Sequence, residues 1–252
     1  MEILLPDNIF SRILSSAFNE KDTIKLHFFP SGLLSKKVSE TKNAIGLIPA
    51  MDLLYHSEFF VSGILGISFD ESISNSYIYF NQQQKLINEI VLAGDVSTNE
   101  GILTKILFKE NYGIDVQLVF EKTNGGTSGK NRIVVGDRNF FEHKLEAGIS
   151  FAEEVIELIS APYINFVFAS ESENALKKFQ SKYKDIISLL NPTEVFENTN
   201  ESFSLSSQNY LLENLQHVVY DFDEQDLEGM KQLLQLPYYH GIIKDLIDVK
   251  FV

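Results

Sequence analysis

The stretch Ala44-Ile45-Gly46-Leu47-Ile48-Pro49-Ala50 contains an apolar run that stops at a proline. We predict a buried strand over residues 44–48 and a helix over residues 49–55, because proline suits the first turn of a helix. Two similar pairs precede this stretch, with strands over 2–5 and 23–29 and helices over 9–18 and 33–38. Three strand-helix units in succession predict a mostly parallel sheet in an α/β protein.

The chain then leaves this first unit. Two strand-like runs, 59–69 and 76–80, flank the polar turn Asp70-Glu71-Ser72, and the alternation restarts at residue 89. The second unit is predicted to have strands over 89–93, 116–120, 133–135 and 164–169 and helices over 98–110 and 151–159. Helical patterns over 175–190 and 224–236 indicate a return to the first unit. We predict one lobe from residues 1–82 and 178–252 and a second lobe from residues 83–177.

Composition limits the classes of partner. A length of 252 residues with 44% hydrophobic content suits one large domain or two smaller lobes. The net charge of -14 would repel a phosphate backbone, so we expect no nucleic-acid partner. A small anion would need local donors such as helix N-termini, because the chain offers guanidinium groups only at Arg12, Arg132 and Arg138.

The sequence also bears on compartment and chemistry. The first residues have neither a basic region nor a long apolar region, and no stretch is apolar enough for a membrane span, so we expect a cytoplasmic protein without a membrane partner. The absence of cysteine excludes disulfides, a thiolate nucleophile and cysteine metal ligands. The five histidines lack metal-site spacing, so no metal site is expected.

Two further motifs have simple interpretations. The run Gly125-Gly126-Thr127-Ser128-Gly129-Lys130-Asn131 has one residue too few between its glycines for a phosphate loop and precedes a strand, so we predict a hairpin turn. The cluster Asp221-Phe222-Asp223-Glu224 precedes a helical pattern and is typical of a helix cap. No GxSxG elbow of a serine hydrolase is present in the sequence.

Several segments, taken in order, resemble motifs of the menaquinone-pathway chorismate dehydratases. Residues 44–50 are similar to the D-V-A-L-V-P turn of that family, and Val96-Ser97-Thr98-Asn99 is similar to its S-R-T-S segment. Val135-Gly136-Asp137 resembles I-G-D, and residues 161–169 resemble the L-P-F-V-F-A strand. Glu228-Gly229-Met230 and Gly241-Ile242-Ile243 are similar to the closing helices. The order and spacing agree over most of the chain.

The resemblance implies a fold and an activity. The fold is an α/β clamshell like that of the type-II periplasmic binding proteins, with two lobes, mixed sheets, two crossover segments and a ligand in the cleft. The activity is that of a hydro-lyase, which removes water from chorismate to give 3-enolpyruvylbenzoate in the futalosine route to menaquinone, and no cofactor is implied. Two alternatives stay open: a cytoplasmic binding or regulatory protein for a small carboxylate anion, without catalysis, and the sister naphthoate synthase of the same pathway.

The resemblance also implies site residues. The essential Asn of the family corresponds to Asn8, the expected catalytic residue, although Ile9-Phe10-Ser11 replaces the T-K-P that follows it in the family. The substrate-binding Ser of the crossover strand corresponds to Ser76, or to Asn75 without an insertion. Further substrate contacts are expected at Ser97, which replaces an Arg, and at Thr98, Asn99 and Asp137. Asn8, Thr98 and Asp137 are equally typical of helix caps.

Overall fold

The structure is a computed structural model that describes residues 1–18, 24–84, 86–121, 129–141, 145–199 and 202–252, apart from the side chain of Glu146. The strands are β1 (Glu2–Pro6), β2 (Lys25–Phe29), β3 (Ile45–Pro49), β4 (Phe60–Phe69), β5 (Ser76–Tyr79), β6 (Glu89–Gly94), β7 (Gln117–Phe120), β8 (Arg132–Val135), β9 (Ile149–Ser150), β10 (Tyr163–Ser170), β11 (Val218–Asp221) and β12 (Lys250–Phe251). The α-helices are α1 (Ile9–Ser15), α2 (Leu34–Glu40), α3 (Thr98–Tyr112), α4 (Arg138–Phe141), α5 (Phe151–Ile159), α6 (Glu173–Ser188), α7 (Pro192–Glu197), α8 (Leu205–Asn214) and α9 (Glu224–Tyr239).

The described strands form two mixed sheets, one in each lobe. The first lobe contains the sheet β11-β4-β10-β3-β1-β2, with β12 paired to β4. The second lobe contains the sheet β7-β6-β8-β5-β9. In the first sheet β1 pairs in parallel with β2 and β3, and in the second sheet β6 pairs in parallel with β7 and β8. The predicted α/β clamshell with mixed sheets is therefore confirmed.

The chain crosses between the lobes twice. It passes from β4 in the first sheet to β5 in the second, and it returns from α5 to β10. The predicted range of the first lobe, 1–82, includes β5, which pairs instead with β8 and β9 of the second sheet. The strand β10 lies between β3 and β4 of the first sheet, antiparallel to both, whereas the predicted range of the second lobe, 83–177, includes it. All eight residues of β10 are buried. Such a strand needs a central place in a sheet that is covered on both faces, and β10 has that place in the first sheet.

Local structure differs from the sequence expectations after Pro49 and again after Leu190. Residues 50–54 form a 3₁₀ helix after Pro49 instead of an α-helix. Residues 191–209, for which no element was predicted, contain α7, which Asn191 caps and Pro192 begins, and the first half of α8. Most of the predicted hairpin at 125–131 lies outside the described residues, and only its residues 129–131 are described.

The cores of the two lobes are continuous across their interface. The ring of Phe10 in α1 packs edge-on against Phe69 at 5.2 Å and against Phe140 of α4 at 6.2 Å, measured between ring centroids. Phe140 in turn contacts Tyr77 of β5. Such edge-on pairs stabilise an interface beyond simple burial of area. Within the described ranges, no helix combines the length and apolar character that a membrane crossing needs.

Candidate ligand site between the lobes

An open groove lies where strands of both sheets end. We call it the inter-lobe groove; it has a volume of about 800 Å³. The first lobe contributes the residues that follow β2, including Leu33, and the second lobe contributes residues at the ends of β6 and β7 and the start of α4. Ligand sites of α/β proteins gather at the carboxyl ends of parallel strands, and this volume is typical of a small-molecule site.

The walls of the groove combine the ion pair of Arg138 and Glu121, the carboxylate of Asp95 and apolar surface. Arg138, at the start of α4, contacts Glu121 with both terminal guanidinium nitrogens, and its side chain is 36% exposed. Leu33 and Phe120, from the two lobes, expose 46% and 66% of their surface. An acidic group of a ligand would have to share or replace Glu121 as the partner of Arg138, while an apolar part would contact Leu33 and Phe120.

Asn8 caps the first helix. Its Oδ1 accepts hydrogen bonds from the backbone N–H of Ser11 at 2.9 Å and from the Ser11 hydroxyl at 3.0 Å. Asn8 is fully buried, and its Nδ2 has no hydrogen-bond partner among the described residues. The expected cap is thus present, and it leaves one buried donor that is not used within the fold.

Asn75 and Ser76 stand at the start of β5, the first strand after the crossover. The backbone oxygen of Asn75 accepts from Gly136 N–H at 2.7 Å, while its Oδ1 is buried without a partner in the described part of the chain. The Ser76 hydroxyl donates to Oε1 of Glu100 at 2.7 Å. Both alternatives for the crossover residue therefore lie in the same buried region.

The start of α3 is fixed by a capping box. Ser97 N–H and the Ser97 hydroxyl donate to Oε2 of Glu100 at 2.9 Å and 2.7 Å. Thr98, the next residue, makes a side-chain hydrogen bond with Asp52 of the first lobe. Desolvation by burial raises the pKa of Asp52, and the hydrogen bonds from Ser35 and Thr98 oppose this shift.

Asn99 connects this helix start to the first lobe. Its Oδ1 accepts from Met51 N–H at 2.9 Å, and its Nδ2 donates to the backbone oxygen of Asn165 at 2.7 Å. Because Asn99 is fully buried and uses both ends of its amide within the fold, it acts as a structural bridge in this conformation.

Glu100 is a buried carboxylate in the first turn of α3. Desolvation by burial raises the pKa of Glu100, and the hydrogen bonds from Ser97 and Ser76 counteract part of that shift. The contact between Glu100 and Ser76 joins residues 24 positions apart and has no sequence signal.

Asp137 links the second lobe to the first helix. Its Oδ1 accepts from Ile9 N–H at 2.9 Å, and its Oδ2 contacts the guanidinium of Arg12. Ile9 follows Asn8, and Gly136 bonds to Asn75, so these contacts bring Asn8, Asn75 and Asp137 to one part of the interface.

The structure thus brings the seven predicted residues to the lobe interface, but outside the inter-lobe groove. Thr98 and Asp137 are half-buried and the other five are buried. The groove is lined instead by residues next to them in sequence, such as Val96 and Arg138. Arg138 had been singled out as one of three guanidinium groups, while Leu33 and Phe120 carried no sequence signal. Substrate contact by the seven residues stays a prediction.

Comparison with known proteins identifies the fold. No family model and no curated protein matches the sequence. A protein of Archaeoglobus fulgidus solved by a structural genomics consortium superimposes with a TM-score of 0.64 at 12% identity, covering 96% of this chain and 98% of that one. The alkanesulfonate-binding protein SsuA of Xanthomonas axonopodis pv. citri, bound to MOPS, gives 0.59 at 11% identity, covering 100% and 97%.

A third solved structure extends this likeness to a eukaryote. The Candida albicans CA3427 gene product, described as having the generic periplasmic binding protein fold, gives a TM-score of 0.54 at 12% identity, covering 97% of this chain and 91% of that one. At these identities the likeness shows the fold alone. The chain has the periplasmic-binding-protein fold, with a groove between its lobes.

Proposed function

We propose that the protein binds a small anionic metabolite in the inter-lobe groove. The observation that supports this function best is the position of Arg138, whose guanidinium, paired with Glu121, lines a groove formed by strand ends of both lobes. A planar guanidinium suits carboxylate and sulfonate groups, and a protein with a net charge of -14 needs such a local donor to hold an anion. The sulfonate-binding protein of the same fold is consistent with this ligand class.

Ligand-induced stabilisation tests this function. The melting temperature of the purified protein is measured with chorismate, methanesulfonate, MOPS and sulfate, because a ligand that binds only the folded state raises it. Arg138→Ala should abolish the shift. Arg132→Ala, which removes the same group from the opposite end of β8, is the matched control and should keep it. If none of the anions shifts the melting temperature, or if both variants keep the shift, the groove is not the anion site.

Chorismate dehydration is a second candidate function, and a different observation supports it. The buried Nδ2 of Asn8 and Oδ1 of Asn75 lack partners within the described residues, and both atoms belong to positions that the family resemblance assigns to the substrate. Loss of water from chorismate forms an aromatic ring, so the protein would mainly orient the substrate. In this proposal Asn8 donates to the substrate, and the Thr98 and Asn99 region holds a carboxylate.

The proton must be removed by a group other than an amide, since an amide is no base near neutral pH. The enolpyruvyl carboxylate of chorismate itself is the proposed base. Glu100, buried beside Ser76, is a second carboxylate in the same region, and burial raises its pKa.

Incubation with chorismate separates the two functions. Chromatographic detection of 3-enolpyruvylbenzoate would establish dehydration. A melting shift with chorismate but no product would leave the binding function alone. Neither product nor shift with any anion of the panel would contradict both proposals.

A further inference from the structure

Two Gly-Asp pairs end neighbouring strands of the second lobe. Gly94-Asp95 ends β6 and Gly136-Asp137 follows β8, and Gly94 lies opposite Val135 in the parallel pairing of these strands. Both glycines have positive φ angles, 87° and 84°, a conformation that other residues adopt only with strain. The same type of turn therefore follows both strands, and each turn places one aspartate at the lobe interface next to the other.

Both aspartates accept hydrogen bonds from backbone N–H groups of the first lobe. The carboxylate of Asp95 accepts from Ser31 N–H at 2.9 Å and from the Ser31 hydroxyl at 2.6 Å. The carboxylate of Asp137 accepts from Ile9 N–H at 2.9 Å and contacts Arg12. Ser31 and Ile9 follow β2 and β1, which are themselves neighbours, so two adjacent strand ends of one lobe are tied to two adjacent strand ends of the other.

The contact between the lobes partly removes the Asp95 carboxylate from solvent. Burial raises the pKa of Asp95, the hydrogen bonds from Ser31 act in the opposite direction, and the charge of Asp7 adds to the rise. Opening would return the Asp95 carboxylate to solvent and break its bonds with Ser31. Desolvation of the Asp95 carboxylate therefore opposes this arrangement of the lobes, and the hydrogen bonds from Ser31 favour it. Because these two effects oppose each other, the arrangement is sensitive to the loss of either Asp95 or Ser31.

We propose that Asp95 and Asp137 form a latch, consisting of their contacts with Ser31, Ile9 and Arg12, which holds the two lobes together in the arrangement of this structure. The latch lies at the edge of the inter-lobe groove and beside the region of Asn8 and Asn75. Its release exposes polar side chains that the closed protein shields from solvent. The latch goes beyond the proposed binding function and does not depend on it.

A distance measurement between the lobes tests the latch without any ligand. The chain contains no cysteine, so spin labels attach only at introduced sites. Lys36→Cys in α2 and Gln117→Cys in β7 place one label on an exposed residue of each lobe. Pulsed electron paramagnetic resonance should give one narrow distance in the otherwise unchanged protein. Asp95→Ala combined with Asp137→Ala should add a longer and broader population, and each single variant should give a smaller fraction of it.

A charge-matched control separates the latch from net charge. Asp115→Ala combined with Asp185→Ala removes two exposed carboxylates, and its distance distribution should equal that of the parent. An unchanged distribution in the double latch variant overturns the proposal. If that variant does not melt cooperatively, Arg12→Ala with Ser31→Ala removes the side-chain partners and keeps both aspartates. This second pair should also lengthen the distance, and a distribution equal to that of the parent would likewise overturn the proposal.

Discussion

The hydroxyl of Ser76 donates a hydrogen bond to the carboxylate of Glu100 at 2.7 Å, and both side chains are shielded from solvent. This contact stabilises the ionised form of Glu100, but desolvation has the larger effect and raises the pKa of Glu100. The folded protein therefore holds a proton at Glu100 at pH values where the unfolded chain has already lost it.

The first prediction concerns the pH dependence of stability. A raised pKa in the folded state gives a stabilising contribution that is fully present below the ordinary value of 4.5 and is lost as the pH rises through the raised pKa. Glu100→Gln should flatten the decrease of the unfolding free energy with pH. Ser76→Ala should steepen it, because the ionised carboxylate loses a donor. Urea unfolding at several pH values checks both slopes, and exposed Glu213→Gln is the charge-matched control. Equal slopes in all variants would contradict the prediction.

Sequence patterns predicted the strands and helices that determine the fold. The apolar run over residues 2–5, the run that stops at Pro49 and the alternation that restarts at residue 89 are local signals, and they predicted the α/β units of both lobes. The sheet to which β10 belongs was not predictable from its apolar composition, because a strand buried on both faces fits the centre of either sheet.

The site was less predictable than the fold. Caps at Asn8 and Ser97 follow from local residue preferences, and the structure contains them. The groove depends on Arg138, Glu121 and Leu33, which come from different strand ends, and their meeting depends on how the lobes close. Sequence periodicity indicates which residues are buried but not which strand ends lie together across an interface.

The second prediction concerns Gly94. With a φ of 87°, a Cβ at this position would lie 2.1 Å from the backbone oxygen of Val135, and the backbone cannot move aside easily. Gly94→Ala should therefore lower the unfolding free energy by at least about 2 kcal/mol. Gly101→Ala is the matched comparison, since its Cβ would meet nothing within 4 Å inside α3, and it should raise stability by about 0.5–1 kcal/mol. Chemical denaturation measures both, and a Gly94→Ala protein as stable as the parent would show that the turn is not required.

The third prediction distinguishes a buried phenylalanine from an exposed one, both in the second lobe. Phe140 is fully buried and contacts Phe10 and Tyr77, so Phe140→Ala should destabilise the fold by about 3–5 kcal/mol. Phe120 is 66% exposed in the groove, so Phe120→Ala should change stability by no more than about 0.5 kcal/mol. If the groove binds the ligand, Phe120→Ala should nevertheless weaken the thermal shift caused by that ligand. A lost fold in Phe120→Ala would contradict this division.

The last prediction separates the two roles of Asn8. Its Oδ1 caps α1, while its Nδ2 is buried without a partner among the described residues, so the two ends of one amide can be tested separately. Asn8→Ala removes both and should cost about 1 kcal/mol of stability through the lost cap. Asn8→Ser keeps a capping oxygen, lacks the Nδ2 donor and should lie within a few tenths of a kcal/mol of the parent. If the protein dehydrates chorismate with Asn8 as a donor, both variants should lose about 10²–10³ in turnover, because a preorganised donor at a reacting centre has that effect. Thermal melting and product chromatography on the same samples measure the two effects. Full turnover in Asn8→Ser would assign Asn8 to the cap alone.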